Sequence, residues 1–459
     1  MADTLDAYFK LMEDQGGVIV KDTPRLDIDL YIHNYRGRTR WERLFLIGRT
    51  STRLCVDALK AAVAEAKNGK DINRYTEAVE QLSMACPTDR DAVLDTDWME
   101  RTEQANRAET QRLEAELRGY KNNLIKESIR MGHEDLGKHY ETIGDLSRAF
   151  DAYSHMRPDV STPRHIVEVG KHLASVSLQR RDWVMVATNL NKLVGYQNGE
   201  DDKAFQPYQK IATGIALLGQ GKYTEAAQSF LEVDNTVPST TYHDIASAND
   251  VAIYGCLLAL ATMDRKDLQT KVLENNNFRA FLQLEPHLRK AVSQFVIGRY
   301  SVCLAILESY RPDYLLDLYL QRHVAKIYAQ IREKCIVSYM VPFSCVTLDS
   351  MNAAFAAPGQ SVEPELAGMI RAGKLQARIN KIDELVTTVP VKPRLKVQKS
   401  ALETARNYEK EAVERIRRMS LAAADLEAKG PRRQPAGGGQ SQTLQGQMSD
   451  LAYEDLPSA

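Results

Sequence analysis

The run Leu136-Gly137-Lys138-His139-Tyr140-Glu141-Thr142-Ile143-Gly144-Asp145-Leu146-Ser147-Arg148-Ala149-Phe150-Asp151-Ala152-Tyr153 decides the fold. It predicts a helix through Tyr140, a turn at Gly144-Asp145 and a second helix through Ala149 and Tyr153. Gly137 and Ala149 are small enough to let two helices approach closely, while Tyr140 and Tyr153 fill the space beside them. One such pair cannot bury its apolar face alone, so the unit implies neighbours stacked on it.

The layout returns downstream. Gly214, Gly221, Tyr223, Ala226 and Phe230 repeat it, with Pro238 where the second helix should stop. A looser copy, Ala174, Asp182, Val186 and Leu190, turns at Arg180-Arg181-Asp182, and a fainter one turns at Gly298-Arg299-Tyr300 before Cys303 and Leu307. This is the spacing of TPR-like helical repeats, and a solenoid is expected over residues 39–310, behind an N-terminal segment of residues 1–38. Within it, residues 41–66 read as helical with a break at Ser51-Thr52. Residues 71–84 give a helix with Tyr75, Val79 and Leu82 on one face, and residues 97–129 give one long helix carrying Leu113, Leu117, Tyr120 and Leu124.

After Tyr310 the pattern changes. Residues 314–339 predict one or two apolar helices broken at Pro342-Phe343, and Val346, Leu348, Met351 and Phe355 a short helix ending before Pro358-Gly359. Ser361 can cap a third helix, with Pro364 in its first turn, Leu366, Met369 and Ile370 buried, and Gly373 as its stop. Leu375, Ala377 and Ile379 alternate and Leu385-Val386-Thr387-Thr388-Val389 is rich in β-branched residues, which predicts a strand pair. Three helices and a β-wing make residues 311–392 a winged helix. Beyond Pro390 and Pro393 comes a last helix, about residues 397–428 within a segment 393–429, and the Gly/Pro/Gln/Ser-rich residues 430–459 are expected to be disordered. The fold class is therefore all-α apart from the small wing.

A chain of 459 residues exceeds the size at which one core keeps growing. An apolar share of 44% and a net charge of −1 describe an ordinary globular chain with no electrostatic pull toward nucleic acid or an anionic membrane. The start, Met1-Ala2-Asp3-Thr4-Leu5-Asp6, lacks the basic and apolar regions of a signal peptide, and the longest nearly apolar stretch, residues 251–263, is too short to span a bilayer. Cytosol or nucleus is the expected location. The cysteines Cys55, Cys86, Cys256, Cys303, Cys335 and Cys345 form no C-x-x-C pair and read as reduced core residues. No catalytic, metal or cofactor site is expected. His133-Glu134 opens like H-E-x-x-H, but Gly137 stands where the second histidine belongs, and no His-x-His occurs. Gly219-Gln220-Gly221-Lys222-Tyr223-Thr224 places Tyr where a phosphate loop needs Ser or Thr. Glu363 and Glu365 sit where a DNA-reading helix would meet phosphates, which opposes that role for the winged helix.

The string Val346-Thr347-Leu348, with Glu365, Met369-Ile370 and Gly373-Lys374-Leu375-Gln376-Ala377-Arg378-Ile379, resembles the winged-helix signature of the PCI-domain family; Asn380 stands where members often carry Asp. Two further strings, Tyr35-Arg36-Gly37-Arg38-Thr39-Arg40-Trp41-Glu42-Arg43-Leu44 and Tyr242-His243-Asp244-Ile245-Ala246-Ser247-Ala248-Asn249-Asp250-Val251-Ala252-Ile253-Tyr254-Gly255, resemble the subunit 1 branch of that family in the COP-nine signalosome. The resemblance covers about residues 27–425. It implies a non-catalytic scaffold, nuclear and cytoplasmic, in a complex that removes a ubiquitin-like modifier from cullins and so regulates cullin-RING ubiquitin ligases. The partners it implies are other PCI subunits and a JAMM metalloprotease subunit, which carries the zinc, with cullin-RING ligases as substrates of the whole.

The resemblance also implies that the wing packs edge-on between neighbouring PCI subunits and that the last helix joins a shared bundle. A strand at a sheet edge offers unpaired backbone groups to a partner, so Lys374, Leu375, Gln376, Ala377, Arg378 and Ile379 are the candidate contact. Leu402, Ala405, Ala412, Ile416, Met419 and Ala423 recur at helical spacing as one apolar stripe and are the candidate second contact. The runner-up is the matching PCI subunit of the proteasome lid. From another class, a free-standing adaptor would bind peptides in its repeat groove.

Overall fold

The computed structural model describes residues 2–193, 200–356, 359–389, 393–424 and 426. Pro358, Pro390 and residues 427–459, which include the expected end of the last helix and the tail, lie outside the described residues. Residues up to Thr388 form one unit, and a second begins at Val389.

The repeats form as their turn chemistry requires. Helix Lys126–Ile143 stops on Gly144, whose φ of +89° suits a residue without a side chain, and Asp145 then accepts the amide of Arg148 at 3.1 Å to start helix Leu146–His155. The two helices close on Gly137: a Cβ there would lie 2.5 Å from the Tyr153 ring. Helices Glu200–Gly219 and Tyr223–Leu231 turn at Gly221 in the same way, and Pro286–Ile297 and Tyr300–Leu315 turn at Gly298. The looser copy, Pro163–Gln179 and Trp183–Leu193, turns with Arg181 in the left-handed region. In the second clear repeat Gly214 receives the ring of Phe230, and Ala226 is fully buried. A continuous apolar core runs from Ala174 through this array to Val386 in the wing.

Upstream, Gly37–Thr50, Cys55–Asn68 and Ile72–Ala85 pack around Trp41, Leu59, Tyr75 and Leu82. The long helix expected over residues 97–129 is instead two. Thr96–Asn123 buries Leu113 and Leu117, then ends at Leu124, which has φ +56° and is 82% exposed. Leu124 therefore does not belong to the apolar face. Helix Tyr300–Leu315 runs unbroken across residue 310 with Pro312 inside it.

The wing holds one strand more than expected. Strand β1 (Cys345–Thr347) precedes helix Leu348–Phe355; β2 (Ala377–Asn380) and β3 (Leu385–Thr388) follow helix Glu363–Arg371. All pairing is antiparallel in the order β1-β3-β2, with Val346 and Ile379 flanking Val386. Three residues are too few to show a period, and β1 exists because β3 offers it a partner. It also exposes Cys345, so the expectation of buried cysteines fails there, while the other five are buried. Asn380 makes the turn: its Oδ1 accepts the amide of Ile382 at 3.1 Å and its Nδ2 donates to Asp383 at 2.6 Å. Arg332, on helix Val324–Met340, forks onto Glu365 at 2.8 and 3.0 Å and donates to the carbonyl of Phe355, clamping the three helices together. The last helix is described over Pro393–Ala423 and begins before the expected residue 397.

Candidate functional site

The strings at residues 35–44 and 242–255 singled out above meet in space around one guanidinium. Arg43 is fully buried on helix Gly37–Thr50. Its Nη2 donates to Asp250 at 2.8 Å and its Nη1 to Asp317 at 2.7 Å; Tyr31 and Tyr254 hydroxyls also accept from it. The Tyr35 ring lies 4.1 Å beneath the guanidinium, and its hydroxyl donates to Asp250 at 2.8 Å. Asp250 also belongs to the capping box, with Ser247, that starts helix Ala248–Thr262. The Tyr254 hydroxyl and the Leu320 amide each donate to Asp317 at 2.8 Å.

One buried cation thus faces two buried carboxylates. Burial pushes the Asp250 carboxyl up to about 6, with Arg43 opposing the rise and Asp317 adding to it. The neighbouring backbone closes the joint, the Arg36 amide donating to the His243 carbonyl at 3.1 Å and the Arg25 amide to Asp313 at 2.8 Å. Sequence reasoning missed Asp317 and the meeting itself. One signal was available: Arg43 stands among Trp41, Leu44, Phe45 and Ile47, on a helix face that must be buried.

The candidate contact residues divide. β2 is an outer strand of the sheet, so its far edge has no neighbour among the described strands. Lys374, Gln376 and Arg378 are exposed and Ile379 is half-buried, but Leu375 and Ala377 are buried in the wing's own core. Lys374 is held to Glu333 at 2.6 Å. On helix Pro393–Ala423, Leu402, Ala405, Ile416, Met419 and Ala423 are exposed and Ala412 is half-buried. Exposures of 60% for Leu402, 63% for Ile416 and 71% for Met419 describe an apolar stripe open to water.

His133 stacks on His155 with ring centroids 5.5 Å apart, and burial pushes its pKa down to about 4. Glu134 is engaged by Arg130 and Lys138. The segment from Gly219 to Thr224 is the turn between two repeat helices, with Gly219 beneath the Trp183 ring. Among the described residues no group of three His, Cys, Asp or Glu side chains could hold a metal ion, and no helix is long and apolar enough to cross a membrane.

Helical repeats that run into a winged helix define a PCI-domain protein. The PCI domain family model matches residues 307–388, and that of 26S proteasome subunit RPN7 matches residues 95–271. The relatives are more particular. COP9 signalosome complex subunit 1 of Neurospora crassa is 54% identical over 434 residues, covering 94% of this chain and 95% of that protein. The Emericella nidulans subunit 1 is 45% identical, covering 90% and 85%, and that of Arabidopsis thaliana is 32% identical, covering 89% and 92%. The chain belongs to the COP9 signalosome complex subunit 1 family, subunits of a multi-subunit complex that carry a PCI domain.

Proposed function

We propose that this chain is a non-catalytic scaffold that organises neighbouring PCI subunits in a signalosome, the complex that removes the ubiquitin-like modifier from cullins and so regulates cullin-RING ligases. The JAMM metalloprotease subunit supplies the chemistry, cullin-RING ligases are the substrates of the whole, and the complex works in nucleus and cytoplasm. Free thiols at all six cysteines agree with a reducing compartment.

The observation that carries the proposal is the open apolar stripe on helix Pro393–Ala423. Helical stability in proteins comes mostly from packing an amphipathic face, and each large side chain on this one contributes roughly 1.5–3 kcal/mol when a partner helix covers it. The outer edge of β2, with Gln376 and Arg378 exposed beside it, is a second contact, made by strand addition. Co-expression of the complex with chain carrying Ile416→Asp and Met419→Asp tests this. The expected result is a normally melting chain that no longer co-purifies with the other subunits; undiminished assembly overturns the proposal.

A further inference from the structure

The repeat formed by Pro163–Gln179 and Trp183–Leu193 opens a cleft of about 320 Å³ toward Arg157 and Val160. Its wall is apolar, made by Ile166, Val169, Leu173 and Leu193. Three polar residues interrupt it: Asn189, Arg157 and Lys192. Asn189 is 2% exposed. Arg157 donates to its Oδ1 at 3.3 Å, which fixes the orientation of the amide, because a guanidinium can only donate. The other end, Nδ2, is then a buried donor without a partner. Buried donors in folded proteins are almost always satisfied, and Asn189, whose Nδ2 has no partner among the described residues, is one of the residues that line the cleft.

The charges point the same way. Arg157 and Lys192 are both exposed at the cleft, and among the described residues no acidic one lines it. An apolar wall beside two exposed cations, with a partnerless amide donor buried behind it, is complementary to an apolar side chain next to a carboxylate. We propose that this cleft binds a segment of a partner protein that presents a leucine-like side chain adjacent to an aspartate or glutamate. The site is made of repeat residues and shares none with the wing edge or the last helix, so its role is to recruit a client.

Fluorescence anisotropy with the full chain tests this. The probe is a labelled peptide with an internal Leu-Glu pair; control peptides carry Leu-Gln or Ala-Glu in its place. Saturable binding of the Leu-Glu peptide is expected, at least tenfold weaker for each control. Lys192→Glu changes an exposed side chain and should weaken binding at least tenfold with no change in melting temperature. Asn189→Ser, checked by melting, should weaken binding while Lys192 is intact. Absence of saturable binding at millimolar peptide, equal affinity for the three peptides, or full affinity in Lys192→Glu overturns the proposal.

Discussion

Replacing Arg43 by methionine keeps an unbranched apolar stem and removes the guanidinium. The native Nη atoms serve Asp250 at 2.8 Å and Asp317 at 2.7 Å, and those carboxylates are 2% and 7% exposed. Removing one partner of a buried ion pair costs about 3–5 kcal/mol, mostly because the remaining charge is stranded. Here two carboxylates are stranded, so the upper end, about 5 kcal/mol, is expected at pH 8.

The cost also depends on pH. Asp250 has a folded pKa of about 6 against an ordinary 3.8, so between those values the folded state binds more protons than the unfolded one. Stability from this group is therefore higher at low pH and falls as pH rises through that window. Without Arg43 the strongest of the influences that hold the pKa down is gone and only the hydrogen bonds from Ser247 and Tyr35 remain, so the pKa rises further and the deficit of Arg43→Met grows between pH 5 and pH 8. Urea unfolding followed by circular dichroism at both pH values measures this for wild type, Arg43→Met, Asp250→Asn and the double variant. The double variant should lose at least about 1 kcal/mol less than the two single losses added together. A deficit below about 1 kcal/mol, or one that does not change with pH, refutes this account of the network.

Two glycines separate steric from backbone causes. Gly137→Ala drives a Cβ against the Tyr153 ring and should cost about 1–3 kcal/mol, read as a lower melting temperature. Gly373→Ala meets nothing within 4 Å but must hold φ at +72°, so about 1–2 kcal/mol of backbone strain is expected from the same assay. His133 has a folded pKa of about 4 against an ordinary 6.5, so the unfolded state binds more protons between them. The associated stability is present above pH 6.5 and is lost as pH falls toward 4; melts across that range should be flatter for His133→Phe. Ile416→Asp with Met419→Asp alters exposed positions and should leave the unfolding free energy of the isolated chain within about 0.5 kcal/mol of wild type.

The repeats were legible because their decisive chemistry is local. Gly144, Gly221 and Gly298 mark positive-φ stops, and Asp145 caps the helix that follows within four residues. The wing hairpin was legible for the same reason, since Asn380 bonds within its own turn. What escaped was set by partners far along the chain. Strand β1 depends on pairing with residues about forty positions later, and no short window shows that. Leu124 carries no local mark of a left-handed helix end, because its side chain suits a helix interior. The candidate site divided likewise: alternation pointed to a strand over Leu375, Ala377 and Ile379, yet β2 begins only at Ala377, and the side chains of Leu375 and Ala377 fill the wing's own core. Both strings, residues 35–44 and 242–255, were recognisable as strings, while Asp317, which completes their network, belongs to neither.

That third residue sets a timetable. Arg43 and Asp317 are 274 positions apart, and a ribosome adding about 5–20 residues per second needs about 14–55 s to cover the distance. During that interval the guanidinium has left the ribosome and its second carboxylate has not been made. The N-terminal helices must therefore wait in water, or in the hold of a chaperone, with the joint half assembled. A nascent chain stopped just before Asp317 carries the arginine with Asp250 as its one carboxylate, and the joint closes only when the second arrives.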